Sequence, residues 1–379
     1  MKVSVLCFDL SDNAVGRAHL LAQLLAPMAE VEVIGPRDGP GVWAPVAADG
    51  VRYVARPGGR LPRFVGTIPA LLRAADGDLL YASKPRLGSA GIGHLKRLLG
   101  RRPLLLDIDD WEVGFFLRGG TWGTVGRALN LGSPKGLPWT WLMERAARAA
   151  DGITVASRFL QERFGGVLIP HVRDTDAWRP GLDDPAALRA RLAPRGGCLV
   201  MFLGTAREYK GVDDLVAAMD GLHRRDLALA LVGTDPASPG GRRLLARYPG
   251  LRLVPPIPFA EVPRYVEAAD VIAIPQRDSP DTRGQVPAKL FDAMAMARPI
   301  VSTRVSMIPE ILEGCGLVVP PSDPAALGAA IARLADDRAL AVELGARARA
   351  RCVARYSFTA ARRDLFPLVT GLVERPTPR

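Results

Sequence analysis

Arg283 to Thr303 reads Arg-Gly-Gln-Val-Pro-Ala-Lys-Leu-Phe-Asp-Ala-Met-Ala-Met-Ala-Arg-Pro-Ile-Val-Ser-Thr. Pro287 suits the start of a helix, where its missing N–H is not needed. Leu290, Phe291, Met294 and Ala295 follow at helical spacing and make a buried stripe. Arg298-Pro299 ends the helix, and Ile300-Val301 begins a strand. Lys289 falls in the first turn, where the helix dipole disfavours a cation. The placement makes sense if an anion lies between the ammonium and the backbone N–H groups. Asp292, three residues on, shares a face with Lys289. The competing reading is an exposed Lys289–Asp292 ion pair, which contributes little.

A second stretch has the same logic. Leu199 to Leu203 is a short apolar run that fits a buried parallel strand. Gly204-Thr205-Ala206-Arg207-Glu208-Tyr209-Lys210-Gly211 follows. Val212, Leu215, Val216, Met219 and Leu222 then keep helical spacing. Strand, small-residue turn and helix start is an arrangement that cradles phosphates. The chain has six lysines among fifty basic residues, and two of them, Lys210 and Lys289, fall at such helix starts.

Together these stretches resemble the carboxy-terminal half of a family-4 glycosyltransferase, a retaining enzyme. The matching residues are Gly204 to Lys210-Gly211, Pro287-Ala288-Lys289-Leu290-Phe291-Asp292-Ala293-Met294-Ala295 with Pro299, Ser306 to Ile311, and Gly316 to Val319. The similarity runs from about Val200 to Phe358 and is weaker before that. It implies an α/β chain of the GT-B fold, two Rossmann-like domains facing each other across a cleft. The expected division is 1–172 for an acceptor domain, 173–197 for a linker and 198–358 for a donor domain. Residues 359–379 would form a helix crossing back to the first domain.

The resemblance also implies site residues. A nucleotide-diphosphate sugar, a UDP-sugar first of all, is the expected co-substrate, with no metal or other cofactor. Lys210 and Arg207 would neutralise the leaving diphosphate, which is stabilisation where charge develops. Arg207 substitutes for an arginine that many members carry directly after the glycine, where this chain has Thr205. Gly204, Gln285, Val286, Lys289 and Leu290 would line the donor, Ile257 would flank the base, and Gly16 would let loop backbone approach the phosphates. Asp292 matches the second Glu of the family's Glu-x7-Glu and would accept the ribose hydroxyls. The first Glu falls on Gly284, so the sugar contact is absent or passes to Asp281, Arg283 or Gln285.

At 379 residues and 48% apolar, the chain is long enough for two domains with real cores, and no run reaches the length of a membrane span. Lys2 to Leu6 goes straight into a strand-like run, which argues against a signal peptide. Cys7, Cys198, Cys315 and Cys352 lack metal-ligand spacing and read as free thiols in a reducing cytoplasm. A net charge of +11 suggests an anionic partner, although GC-rich codons alone would also enrich arginine. No helix-turn-helix, zinc finger or aromatic-basic platform supports nucleic acid.

In the first half, Lys2 to Phe8, Arg17 to Met28 and Val31 to Ile34 read as strand, helix and strand, a Rossmann-like opening. The loop between them lacks G-x-G-x-x-G, so a nicotinamide cofactor is not expected. Leu79 to Tyr81 and Pro103 to Leu106 read as strands, with a helix over Leu87 to Leu99. Lys84, Arg86 and His94 read first as a solvated basic face, with a family-like substrate contact as the alternative. Asp107-Ile108-Asp109-Asp110-Trp111-Glu112 follows a strand, where parallel sheets bind ligands. The favoured reading puts Asp109 or Asp110 near the acceptor hydroxyl. The alternatives are a D-x-D metal pair and capping of the next segment. Trp111, Phe115, Phe116, Trp122, Trp139 and Trp141 crowd into 111–141 with Arg118, Arg127 and Lys135. Such a segment suits a sugar platform, a peripheral membrane contact or a packed insertion. The function expected is transfer to a small-molecule, glycan or lipid-linked acceptor. A nucleotide-sugar epimerase and a catalytically impaired binding partner are the competing classes.

Overall fold

Short, largely apolar runs become the central strands of parallel sheets covered on both faces. In the computed structural model, which describes residues 1–47, 50–117, 126–182 and 184–375, two such sheets form. The chain divides into one unit of Met1–Pro170 with Ala361–Arg379 and a second of His171–Ala360.

The first unit holds β1 (Lys2–Leu6), β2 (Glu30–Arg37), β3 (Arg52–Pro57), β4 (Leu79–Ser83), β5 (Leu104–Ile108), β6 (Gly152–Val155) and β7 (Val167–Leu168). Among the described residues they run β3-β2-β1-β4-β5-β6-β7, every pair parallel. The order reverses between β1 and β4, the kind of place where open α/β sheets bind ligands. Ser83 lies opposite Asp107 in the β4–β5 register, so the segments after both strands leave side by side. Leu6, Ile34, Leu80, Leu104, Leu106 and Ile108 form the core with Phe64 and Leu71.

The helix α1 spans Val15–Leu25, starting earlier than the apolar spacing indicates. Its inward face includes Arg17, whose guanidinium is buried on the Asp107 carboxylate (Nε–Oδ2 2.9 Å, Nη2–Oδ1 2.8 Å). The expected helix over Leu87 to Leu99 opens instead with one wide turn, Leu87–Gly91, before regular helix at Ile92–Gly100. Its small residues Gly88, Ser89 and Ala90 are buried against the sheet.

The second unit holds β8 (Cys198–Leu203), β9 (Leu227–Val232), β10 (Arg252–Val254), β11 (Val271–Ile274), β12 (Ile300–Thr303) and β13 (Leu317–Val319). Their order is β10-β9-β8-β11-β12-β13, again all parallel, reversing between β8 and β11. The helices α2 (Val212–Gly221) and α3 (Ala288–Ala295) follow the two sequence stretches read above. Residues 173–197 belong to this unit and carry a short helix, Ala186–Leu192. The helix Phe358–Val373 begins in the second unit and continues, from Ala361, in the first. There Arg362 Nε donates to Leu24 O at 3.0 Å. All four cysteines are free thiols, and Cys198 is the one partly exposed.

Gly211 has φ +67°, and a Cβ added there would lie 1.8 Å from the carbonyl oxygen of Pro275. Only glycine fits both the left-handed backbone and that contact. Gly211→Ala is therefore expected to destabilise the second unit by about 3 kcal/mol. Urea denaturation measures this; a loss below about 1 kcal/mol would contradict the geometry.

Candidate functional site

β8 ends at Leu203, and Gly204 turns the chain with φ +116°. A Cβ on Gly204 would lie 3.2 Å from Lys289 Nζ and 3.7 Å from Lys210 Nζ. Two ammonium groups, from chain segments almost eighty residues apart, thus converge on one point at the carboxy end of the sheet. Lys210 arrives on the turn Glu208–Lys210 before α2. Lys289 arrives on the first turn of α3, whose leading N–H groups have no intrahelical acceptor.

Lys289 lies 3.7 Å above the ring of the fully buried Phe202. Burial, and then the neighbouring Lys210 charge, hold its pKa well below the ordinary lysine range, with Asp292 opposing only in part. No ion pair forms at Lys289 among the described residues, so the exposed Lys289–Asp292 pair is not what the fold builds. Asp292 is buried and accepts from Arg173 Nε instead. Burial raises the Asp292 pKa against the pull of Arg173 and Lys289. The Arg173 guanidinium also donates to Val172 O at 2.7 Å and packs over Trp178 and Phe259. The sequence reading placed Arg173 in a connector and missed this role. Its signal was a lone arginine between His171 and Asp174, too common a pattern to single out.

The other donor candidates divide. Arg207 is exposed, and Ile257 and Gln285 are half-buried. Gln285 N–H bonds Thr282 O at 3.1 Å, while Val286 is buried. The Leu290 side chain lies wholly in the core, and its N–H bonds Pro287 O at 3.0 Å. Of the three substitutes for the missing Glu, Asp281 is fully buried and Arg283 is exposed. Gly16, in the first unit, lies in the first turn of α1, and its N–H bonds Asn13 O at 3.2 Å.

The other cluster belongs to the first unit alone. Lys84 follows β4 in a left-handed conformation (φ 71°), with its N–H on Asp107 O at 2.8 Å. Its Nζ lies 2.7 Å from Asp109 Oδ1, 2.6 Å from Asp110 Oδ2 and 2.9 Å from Glu112 Oε1. Arg86 completes the group through Glu112 (Nε–Oε2 2.8 Å), Thr140 Oγ1 (2.7 Å) and Lys135 O (2.8 Å). Lys84 is 6% exposed and Arg86 7%, which overturns the solvated basic face expected for them. Sequence spacing could not show that β4 and β5 set the two segments side by side.

Burial pushes the Asp109 carboxyl up to about 7 against the pull of Lys84. Burial also pushes Glu112 up, but Arg86 and Lys84 outweigh it and hold the carboxyl low. The D-x-D reading fails on Asp107. That carboxylate is committed to Arg17 and accepts from Thr154 Oγ1 at 2.8 Å. In 111–141, Trp111 packs on Phe159 and Arg163, Phe116 lies under Arg86, and Trp139 Nε1 donates to Leu131 O at 2.8 Å. Trp141 is 49% exposed beside Arg145. Arg118 and Trp122 lie outside the described residues. No described helix is long and apolar enough to cross a membrane.

Two parallel α/β units, one with cations gathered at a sheet's carboxy end, define a class, and comparison with known proteins agrees. Residues 197–337 match the family described as glycosyl transferases group 1, and residues 14–174 match the glycosyl transferase 4-like domain. The chain belongs to the group 1 glycosyltransferases and has their α/β GT-B fold. It is 30% identical to a GDP-mannose-dependent alpha-(1-6)-phosphatidylinositol monomannoside mannosyltransferase of Mycolicibacterium smegmatis, over 54% of this chain and 58% of the relative. It is also 30% identical to a D-inositol 3-phosphate glycosyltransferase of Kineococcus radiotolerans, over 55% of this chain and 54% of the relative. The chain thus spans little more than half the length of these two curated relatives. Among solved structures, Anabaena HepE in complex with UDP-glucose has the same fold (TM-score 0.76, 17% identity, 98% of this chain and 100% of that one). So does a sucrose-phosphate synthase from Thermosynechococcus elongatus (TM-score 0.75, 21% identity, 98% and 99%).

The Arg173–Asp292 pair has both partners under a tenth exposed. Removing the cation leaves a carboxylate without its counter-charge. Arg173→Ala is expected to destabilise the second unit by about 3–5 kcal/mol. Arg173→Ala combined with Asp292→Asn should recover part of that loss, and denaturation curves of the three proteins test it.

Proposed function

We propose that this chain is a retaining glycosyltransferase. It moves a sugar from a nucleotide-diphosphate sugar to a hydroxyl of a small-molecule, glycan or lipid-linked acceptor, without a metal ion. The observation that carries the reading is the meeting of Lys210 and Lys289 in front of Gly204. A half-buried ammonium beside another ammonium is costly unless an anion joins them. A diphosphate has the charge and the span to do so, and α3 offers it backbone donors. Arg207, exposed on the same loop, is proposed as a third cation for the leaving group.

As the glycosidic bond breaks, negative charge gathers on the leaving phosphate, where these cations act most strongly. The phosphate oxygen then takes the acceptor proton, and the sugar keeps its configuration. Asp292, held by Arg173, is proposed to accept from the ribose hydroxyls through its other oxygen. Asp109 and Asp110 are proposed to meet the acceptor hydroxyl. A UDP-sugar is the first candidate donor, and the mannosyltransferase relative makes a GDP-sugar the second. Four free thiols suit a cytoplasmic enzyme.

A thermal-shift panel of UDP, GDP, ADP and TDP, each with and without manganese, tests the donor site. One nucleotide should stabilise the protein independently of manganese. Lys210→Ala and Lys289→Ala should each weaken that binding about 10- to 100-fold, the worth of a charge-assisted hydrogen bond. Unchanged affinity in both variants would remove the site.

Lys289 gives a second test. A bound diphosphate should return its depressed pKa toward the lysine range. The complex then holds more protons than the free protein, so binding takes up a proton and tightens as pH falls through that window. Calorimetry in two buffers of different ionisation enthalpy reads the uptake, which Lys289→Met should abolish. For Asp109, the ionised form is the better acceptor of the hydroxyl's hydrogen bond, which orients it toward the sugar. Transfer should therefore climb between about pH 6 and about pH 8, and Asp109→Asn should flatten that limb.

A further inference from the structure

Lys84 and Lys289 are both ammonium groups withdrawn from water, but with opposite surroundings. Lys289 faces a cation, whereas Lys84 sits at the centre of three carboxylates. An ammonium has three N–H donors, and Lys84 has one carboxylate within hydrogen-bond reach for each. The facing oxygens of Asp109, Asp110 and Glu112 lie within 4.8 Å of one another, a spacing that would also suit a metal ion. Here the cation is covalent. We propose that Lys84 is the resident cation of this cluster, a positioning residue that fixes Asp109 and Asp110 and keeps a divalent ion from their centre.

The chain is built to keep that ammonium in place. The Lys84 backbone is pinned at both ends, its N–H on Asp107 O and its carbonyl accepting from Ser89 Oγ at 2.7 Å. Its left-handed φ aims the side chain across the end of β5 rather than outward. Arg86 takes the far oxygen of Glu112, so the third carboxylate is shared by two cations. With all three carboxylates ionised, three negative charges meet two positive ones and leave about one net negative charge at Asp109 and Asp110; protonation of Asp109, whose carboxyl is raised to about 7, brings the group to neutrality. That remainder suits a neutral hydroxyl better than a second anion. A divalent ion entering the same oxygens would sit about 3 Å from the ammonium, where repulsion excludes it.

The role as a positioning residue rests on the acceptor-side reading of Asp109 and Asp110; the exclusion of metal does not. The test titrates Mn2+ by electron paramagnetic resonance against the full chain, Asp110→Asn, Lys84→Met, and Lys84→Met with Asp110→Asn. The unaltered protein should bind no Mn2+ that Asp110→Asn removes. Lys84→Met should gain about one equivalent, lost again in the double variant. In transfer assays Lys84→Met should lose about tenfold or more in kcat with donor KM unchanged, and Lys84→Arg should restore part of it. Mn2+ should raise the kcat of Lys84→Met and leave that of the unaltered protein as it is.

Mn2+ bound by the unaltered protein and lost in Asp110→Asn would overturn the proposal. So would a folded Lys84→Met with full kcat. If Lys84→Met does not fold, the unaltered protein and Asp110→Asn still decide the metal question. Lys84→Arg, expected to lower kcat at constant donor KM, then decides the positioning one. Absence of nucleotide binding in the thermal-shift panel would sink the donor reading while leaving the Mn2+ result standing.

Discussion

An ammonium ion taken out of water must meet negative charge or surrender its proton, and that constraint organises both units. At Lys289, burial and Lys210 act together against the charged state. Among the described residues the opposing pull comes from Asp292, whose carboxylate is already held by Arg173. At Lys84 the same burial is overcome by three carboxylates, and the pKa is held well above the lysine range. The same burial thus meets opposite charge at Lys84 and like charge at Lys289.

The use of lysine here is selective. Fifty residues are lysine or arginine, yet only six are lysine. Four of the six are Lys84, Lys135, Lys210 and Lys289. Lys135 bridges Asp9 and Asp38, Lys84 bridges three carboxylates, and Lys210 and Lys289 converge. Each needs a compact charge reached from more than one direction. A guanidinium is planar and suits paired oxygens instead, as Arg17 on Asp107 and Arg277 on Asp214 illustrate. Replacing one type by the other would change geometry as well as charge.

Much of the second unit was legible in the sequence because its signals are local. Strand, glycine turn and helix start occupy consecutive residues, and Pro287 with Arg298-Pro299 brackets α3 within one short stretch. Each stretch marks its own lysine at a helix start, and the family resemblance is what pairs Lys210 with Lys289 across the sequence between them. Leu290, inside the same motif, puts its side chain into the core beneath it, as its place in the apolar stripe indicates. The carboxylate cluster of the first unit was half visible. Asp109 and Asp110 stood out at a strand end, but Lys84 lies on a different strand. Only the β4–β5 register, Ser83 opposite Asp107, turns a basic patch into a buried counter-ion. Arg173 was missed for the same reason, since its partner is 119 residues away.

The helix Phe358–Val373 also makes one unit discontinuous in sequence. Its residues from Ala361 belong to the first unit, with the whole of His171–Ala360 intervening. Completing the first unit therefore needs contacts between segments about 190 residues apart, and such non-local closure carries the larger entropy cost.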